Sequence, residues 1–537
     1  MKNKQLLLHP LTATLLLSLS LPVIAQQQVA GAISTPGIGT PGVIEGFNAG
    51  DAGAQGGRTW FVKPRIGLSL TATDNVDVSA NSRGESDLIT EISPGIRVDA
   101  RTARLRGYLD YSLRGQFYTK SSEDRHHNAL NAFATLEAVD DWLFVDVSSI
   151  ISQQTISAFG PQSPSDTSIN SNSTETSTYR LSPYIRGQIG GLANYMVRYN
   201  TSATRADATT ASDLDVSQWI AQLRGGTPFH TLKWTVDANS QTTDYAKGRE
   251  TDADLARLLF TYMITPQFSV SASTGWESNN YASVDEESNN THGFGFDWNP
   301  TTRTQISAFK ERRFFGDGHR LSISHRFPMS SIRYTDTRDV SVLPNQFGTI
   351  GMGTIYDLYF EQFASLIQDP IIRAAFVNAL LARDGIRPNQ PVVSGFISSQ
   401  ASEQRQQQLA FVLFGARNTL TLQLNRSENS AIAAALTSVQ DDFSQSSLIR
   451  QKGISLTLSH RLIALSTLNA TASRQKSSGH NRDTNNLENT TTLYQLSLAT
   501  RLGAKTNGSL SVRRSEFDDS SNPYTENALI AAVTYTY

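Results

Sequence analysis

From Trp60 onward the chain alternates apolar and polar residues in one short segment after another. The clearest runs from Ala103 to Tyr118. Ala103, Leu105, Gly107, Leu109, Tyr111, Leu113, Gly115 and Phe117 fall on one face, and Arg104, Arg106, Tyr108, Asp110, Ser112, Arg114, Gln116 and Tyr118 on the other. A period of two predicts a β-strand whose two faces meet different surroundings. Tyr179 to Ile189 repeats the pattern, with Leu181, Ile185 and Ile189 opposing Arg180, Tyr184, Arg186 and Gln188. So does Leu232 to Gln241. An arginine facing lipid near the midplane costs roughly 2–4 kcal/mol. Three of them on one strand assign that face to a wet interior, which leaves the leucine face for hydrocarbon.

The connections alternate in length. Short turns are expected near Arg101-Thr102, Asp140-Asp141, Gly190-Gly191, Thr265-Pro266, Asn299-Pro300 and Gly503-Ala504. Between them lie longer polar stretches, at about 73–87, 120–127, 153–177, 204–213, 277–290, 429–447, 475–490 and 516–526. Short turns on one side and long loops on the other are the asymmetry of outer-membrane barrels. The fold class predicted is all-β: a transmembrane antiparallel β-barrel of 18 to 22 strands, 22 being the best count, occupying 59–537. An even count puts both strand ends of the barrel in the periplasm.

The two ends of the sequence agree with this. Leu529, Ala531, Val533, Tyr535 and Tyr537 share one face of the last segment. Tyr535 and Tyr537 are the expected insertion signal for the barrel-assembly machinery. At the start, Lys2 and Lys4 precede the leucine-rich stretch Leu6 to Leu21, and Val23-Ile24-Ala25 suits cleavage. Residues 1–25 therefore read as a secretory signal peptide, and 26–58, rich in Gly, Pro, Ala and Gln, as a flexible periplasmic leader. Gly37, Gly39 and Gly42 in that leader make a literal G-x-G-x-x-G, but Pro-Gly pairs interrupt it where a dinucleotide site needs a strand and a helix. After residue 25 nothing approaches the roughly 20 consecutive apolar residues of a membrane helix.

Residues 341–402 break the alternation. Ile355, Leu358, Tyr359, Phe363 and Leu366 recur at helical spacing. Asp369-Pro370 looks like a cap with proline opening a second helix, which Gly385 and Pro388 close. Strand parity assigns this insertion to an outer loop. Three placements fit it: a plug in the lumen, a lid over the mouth, or a loop packed on its own apolar face.

No catalytic motif is present: no G-x-S-x-G, H-E-x-x-H or P-loop. The sequence has no cysteine, which excludes a lipid-anchored cysteine, a thiol enzyme or a disulfide scaffold. Glu123, Asp124, His126 and His127 crowd together, and are read as solvated loop residues rather than metal ligands. Acidic pairs such as Asp441-Asp442 are read as ordinary loop acids. The formal charge of −2 offers no electrostatic case for nucleic acid. No cofactor, metal site or enzymatic activity is expected. The lumen-lining candidates are Arg104, Arg106, Asp110, Arg114, Arg180, Tyr184, Arg186, Arg198, Arg224, Arg257 and Arg501. Two uses fit them: passing or contacting anions and sugars, or pairing with acids to brace the interior.

Several short motifs, taken in order, resemble one family. They are Trp60-Phe61 with Pro64-Arg65-Ile66, the Thr73-Asp74-Asn75 turn, and Leu88-Ile89-Thr90-Glu91-Ile92-Ser93-Pro94-Gly95-Ile96. Further on come Asp369-Pro370 with Arg373, then Arg405, and Gly415-Ala416-Arg417-Asn418. The chain is similar to the outer-membrane proteins associated with the PEP-CTERM, or exosortase, system. That resemblance implies a non-enzymatic barrel in exopolysaccharide assembly or export across the outer membrane, with outer-membrane lipid, a polysaccharide and periplasmic export components as partners. It carries over no catalytic residues. A general or solute-specific porin is the alternative, and an outer-membrane hydrolase ranks below it. A siderophore-type transporter is disfavoured because the leader is shorter than that class's N-terminal plug.

Overall fold

The protein was analysed as a computed structural model, which describes residues 59–80, 83–121, 124–342, 377, 395–432, 441–480, 487–520 and 522–537. The expected signal peptide and leader at 1–58 lie outside them. So do most of the insertion expected to be helical, Glu123, and the glycine motif.

Twenty-two antiparallel strands form one sheet. It closes on itself: β1 (Trp60–Thr73) pairs with β22 (Tyr524–Thr536) from Arg65 opposite Thr536 to Thr73 opposite Ala528. No edge strand is left, so the backbone of the wall bonds within the sheet, as hydrocarbon requires. The expected strand count, closure and termini-side geometry are all found. A ring of this size is about 40 Å across, from a strand spacing of about 4.8 Å and a tilt near 40°.

Alternation does what it predicted on each strand. On β1, Val62, Ile66, Leu68 and Leu70 face outward and are exposed, while Arg65 and the buried Thr71 and Thr73 face in. On β22, Leu529, Val533, Tyr535 and Tyr537 are outward and exposed, and the two tyrosine rings meet edge to face at 4.9 Å. Exposed leucine and valine in unbroken bands mark a lipid-facing surface rather than a soluble one. The molecule is an outer-membrane β-barrel.

At the end that holds Trp60 and Tyr537 the connections are two to five residues long, as at 266–267 and 227–231. One of these turns, 190–192, uses Gly190 and Gly191 at φ +52° and +73°, a region open to glycine. At the other end the connections reach 74–86, 156–172 and 432–447. Most expected loops were drawn a few residues too long, because polar strand ends resemble loop. His126 and His127, for example, belong to β4 (Arg125–Val139) and not to a loop.

Tilted strands leave gaps above glycines, and aromatic rings fill them. The Trp234 indole lies over Gly225, where an added methyl carbon would come within 2.4 Å of it. Tyr195 covers Gly187 in the same way, at 2.8 Å from its hydroxyl oxygen.

Candidate functional site: the lumen wall and the outer mouth

Most of the arginines expected in the lumen are there, and several are paired with acids. On β3 (Leu105–Tyr118), Asp110 receives Arg65 at 2.5 Å and lies 3.8 Å from Arg97 of β2 (Asp87–Arg101). Arg114 reaches Asp166 at 2.6 Å. Arg257 on β10 (Thr251–Thr265) is almost fully buried between Asp237 and Glu311, 3.3 Å from each. Asp237 also accepts from Gln222 at 2.5 Å, and Glu311 from Ser273 at 3.2 Å.

A second cluster stacks along the wall. The Arg186 guanidinium lies 4.2 Å from the Phe144 ring centre, Phe144 stacks on Tyr184 at 5.1 Å, and Arg198 covers the other face of Tyr184 at 4.0 Å. Arg198 donates to Asp146 at 2.9 Å, and Thr135 donates to the other oxygen of Asp146 at 2.7 Å. Arg180 faces inward on β6 (Ser173–Ile189), and Arg106 and Arg224 line the exposed periplasmic end of the interior.

Two candidates lie at the rim. Arg104 is not on a lumen-facing strand position: β3 starts after it, and from the short turn it reaches Asp140 of the next turn at 2.7 Å. The alternation continues unbroken into that turn, which is why sequence alone placed Arg104 on the strand. Arg501 ends β20 (Leu487–Arg501) and donates to the turn carbonyls of Gly503 and Ala504 at 3.2 and 3.1 Å.

Sequence reasoning missed a belt of amides. On β7 (Ala193–Ala206), β8 (Leu214–Gly226) and β9 (Leu232–Tyr245), Asn200 donates to Gln218 at 3.0 Å. Gln218 donates to Asn239 at 2.8 Å, and Gln241 to Thr243 at 3.1 Å. Inward amides on successive strands were the available signal, but only the register shows that they meet.

The outer mouth is the more distinctive feature. The connection 156–172, between β5 (Leu143–Thr155) and β6, crosses it. Tyr118 donates to the Thr167 carbonyl at 2.8 Å, and Ile169 N–H to Val76 at 2.8 Å. Asn489 of β20 donates to the Ala158 carbonyl at 2.9 Å, and the Tyr524 hydroxyl of β22 to the Gln162 carbonyl. Farther still, a short helix α1 (Asp442–Gln445) precedes β18 (Leu448–Ile463). Its Asp442 carboxylate accepts from Ser157 Oγ and from the Ala158 N–H, both at 2.6 Å. β18 stands nine strands from β5 in a ring of 22, close to opposite. The tie therefore spans the opening.

An apolar knot backs the tie. Ala158, Phe396, Phe443 and Ile449 are buried together, and Phe396 meets Phe443 at 5.9 Å. Phe396 belongs to the returning limb of the long insertion, whose residues 395–401 are buried or half-buried. Ile397 N–H donates to Ile156 at 3.2 Å, and Ser399 N–H to Asp441 at 3.2 Å. The departing limb is anchored too, since Tyr245 donates to the buried Val342 carbonyl at 2.5 Å. Burial pushes the Asp442 carboxyl up to about 6, against the opposing pull of Ser157 and Ala158, and neighbouring Asp441 adds to the rise. Asp441, also raised by burial, caps α1 through the Phe443 and Ser444 amides. The acidic pair read as ordinary loop acids is thus built into the mouth, Asp442 buried and Asp441 half-buried.

No family model matches the chain, and no curated relative is found. Solved structures with a similar chain path include the FrpB iron transporter from Neisseria meningitidis (F3-3 variant), 10% identical, covering 90% of this chain and 82% of that one at a TM-score of 0.48. The siderophore receptor PirA from Pseudomonas aeruginosa is 8% identical, with 89% and 80% covered and a TM-score of 0.42. PirA from Acinetobacter baumannii is 9% identical, with 88% and 80% covered and a TM-score of 0.46.

Proposed function

We propose that this outer-membrane barrel is a gated, non-enzymatic conduit through which an exopolysaccharide leaves the periplasm. One observation carries the reading: a polar-lined wall ends at an outer mouth that the 156–172 connection crosses, tied to the far side by hydrogen bonds around Asp442. Arg65, Arg114, Arg198 and Arg257 meet acids along the wall, which cancels part of the local charge. Amide, hydroxyl and guanidinium groups remain to exchange hydrogen bonds with a hydrated sugar chain. The ordered motifs that resemble those of the PEP-CTERM-associated barrels support the same reading. Periplasmic export components would meet the rim that carries Arg104, Asp140 and Arg501.

Deleting the gene tests it. The expected result is loss of cell-surface polysaccharide, restored by the wild-type gene. Unchanged surface polysaccharide overturns the proposal. The porin alternative predicts large conductance from purified wild-type protein in planar bilayers at once, whereas a gated conduit stays mostly closed until the Asp442 ties are loosened.

A further inference from the structure

The outer face of the wall changes character abruptly on one side. On β17 (Asn418–Ala431), β18 and β19 (Ser466–His480), outward positions are apolar through Leu424, Ile454 and Ala472. From Ile454 down to Ile463 the outward face, apolar except at His460, spans about 23 Å, at about 3.3 Å per residue and a tilt near 40°, close to the thickness of the hydrocarbon layer. The next outward position up is cationic on all three strands. Arg426 is the register partner of Lys452, and Lys452 of Lys476. Arg450 stands one outward step above Lys452, and Arg474 one step below Lys476.

Neighbours in such a row are about 4.8 Å apart, and like charges placed directly opposite destabilise a sheet. Acids answer only part of the charge. Glu428 takes Arg426 at 2.6 Å and Arg450 at 3.2 Å, and Glu488 takes Lys476. Among the described residues, Lys452 and Arg474 have no ion-pair partner. Arg474 stands at the lip of an outward groove of about 410 Å³, floored by Ile454, Leu456, Ala472 and Tyr494. Its far rim carries Asp518 and Glu516, the latter held by Arg514 at 2.7 Å. Across the barrel, outward positions near the loop end of β8, β9 and β10 carry Asp215, Asp244, Asp252 and Asp254, with Arg205 against Asp215. Outward cations stand on other strands too, such as Lys310, Arg405 and Arg514, but each of these meets an acid. The patch differs in the two cations left without one.

We propose that this patch binds a phosphorylated glycolipid of the outer leaflet. Its phosphates sit on Arg426, Lys452, Lys476 and Arg474, and the root of an acyl chain lies in the groove beneath. The apolar floor directly under the cations selects a lipid over a free anion.

Native mass spectrometry of the purified full-length protein in detergent, with diphosphoryl lipid A as the probe, tests this. The Lys452→Ala, Arg474→Ala double variant should bind lipid A about thirtyfold more weakly, at about one decade per 1.4 kcal/mol and about 1 kcal/mol per cation. The charge-conserving Lys452→Arg, Arg474→Lys variant should bind nearly as wild type, as should Asp254→Ala on the acidic wall. Dephosphorylated lipid A should bind the wild type poorly. The heat-dependent gel mobility shift confirms that each variant is folded. Equal binding by the double alanine variant, equal binding of dephosphorylated lipid A, or full displacement by millimolar inorganic phosphate would each overturn the assignment.

Discussion

Acidifying the outer side should tighten the mouth. The Asp442 carboxyl titrates near 6 with the mouth closed, against 3.8 in water. A raised carboxyl pKa means that the closed state holds the proton more firmly than the open one. Closure therefore gains stability as pH falls; the gain is complete below about 3.8 and is lost as pH rises through about 6. At about pH 5 the statistical weight of Asp442 is about 11 closed against about 1.1 open, and near pH 7.5 both are about 1. The closed-to-open ratio thus rises about tenfold, or about 1.4 kcal/mol. Ser157 and Ala158 favour the ionised form, but burial outweighs them, and Asp441, the other charge acting on the site among the described residues, pushes the same way. Single-channel recording in planar bilayers, with pH varied on the loop side, reads the effect as a roughly tenfold fall in open-to-closed ratio. Asp442→Asn, which cannot ionise, should remove most of that step. An equally large step in Asp442→Asn, or opening on acidification, would refute the reasoning.

Other outcomes follow from the wall. Arg257→Ala leaves Asp237 and Glu311 buried side by side without their cation, and should lower stability by about 3–5 kcal/mol; the urea midpoint checks it, with Arg257→Met in an Asp237→Asn, Glu311→Gln background restoring most of the loss. Gly225→Val must displace the Trp234 indole, and should lower the temperature of the gel mobility shift without changing conductance. Replacing both Tyr535 and Tyr537 with Ala should slow assembly by the barrel machinery into proteoliposomes, while the small fraction inserted has normal heat stability; equal assembly rates would remove their role as a signal.

The wall was legible because alternation in a closed sheet depends on local spacing alone. Once the arginines of β3 are set inward, Leu109, Leu113 and Phe117 must face out, and they do. Pairing was not legible in the same way. Arg257 finds Asp237 on the adjacent strand but Glu311 three strands on, a partner that only register and curvature select. The mouth was least legible. Ser157 and Ala158 stand far in sequence from Phe396 and Asp442, none of them carries a motif, and Asp442 looked like any loop acid. A hint lay in Phe443, an aromatic residue following two acids, but its partners could not be named from composition.

The connection that leaves β5 and is fastened beside β18 behaves as a spoke in a wheel. Flattening the rim along that diameter slackens it, and drawing the rim out stretches it. Lateral pressure in the bilayer, or a partner pulling on either side of the ring, would consequently be felt at Ser157 and Asp442 without touching them. Mechanical ovality is a route to opening that needs no ligand in the pore.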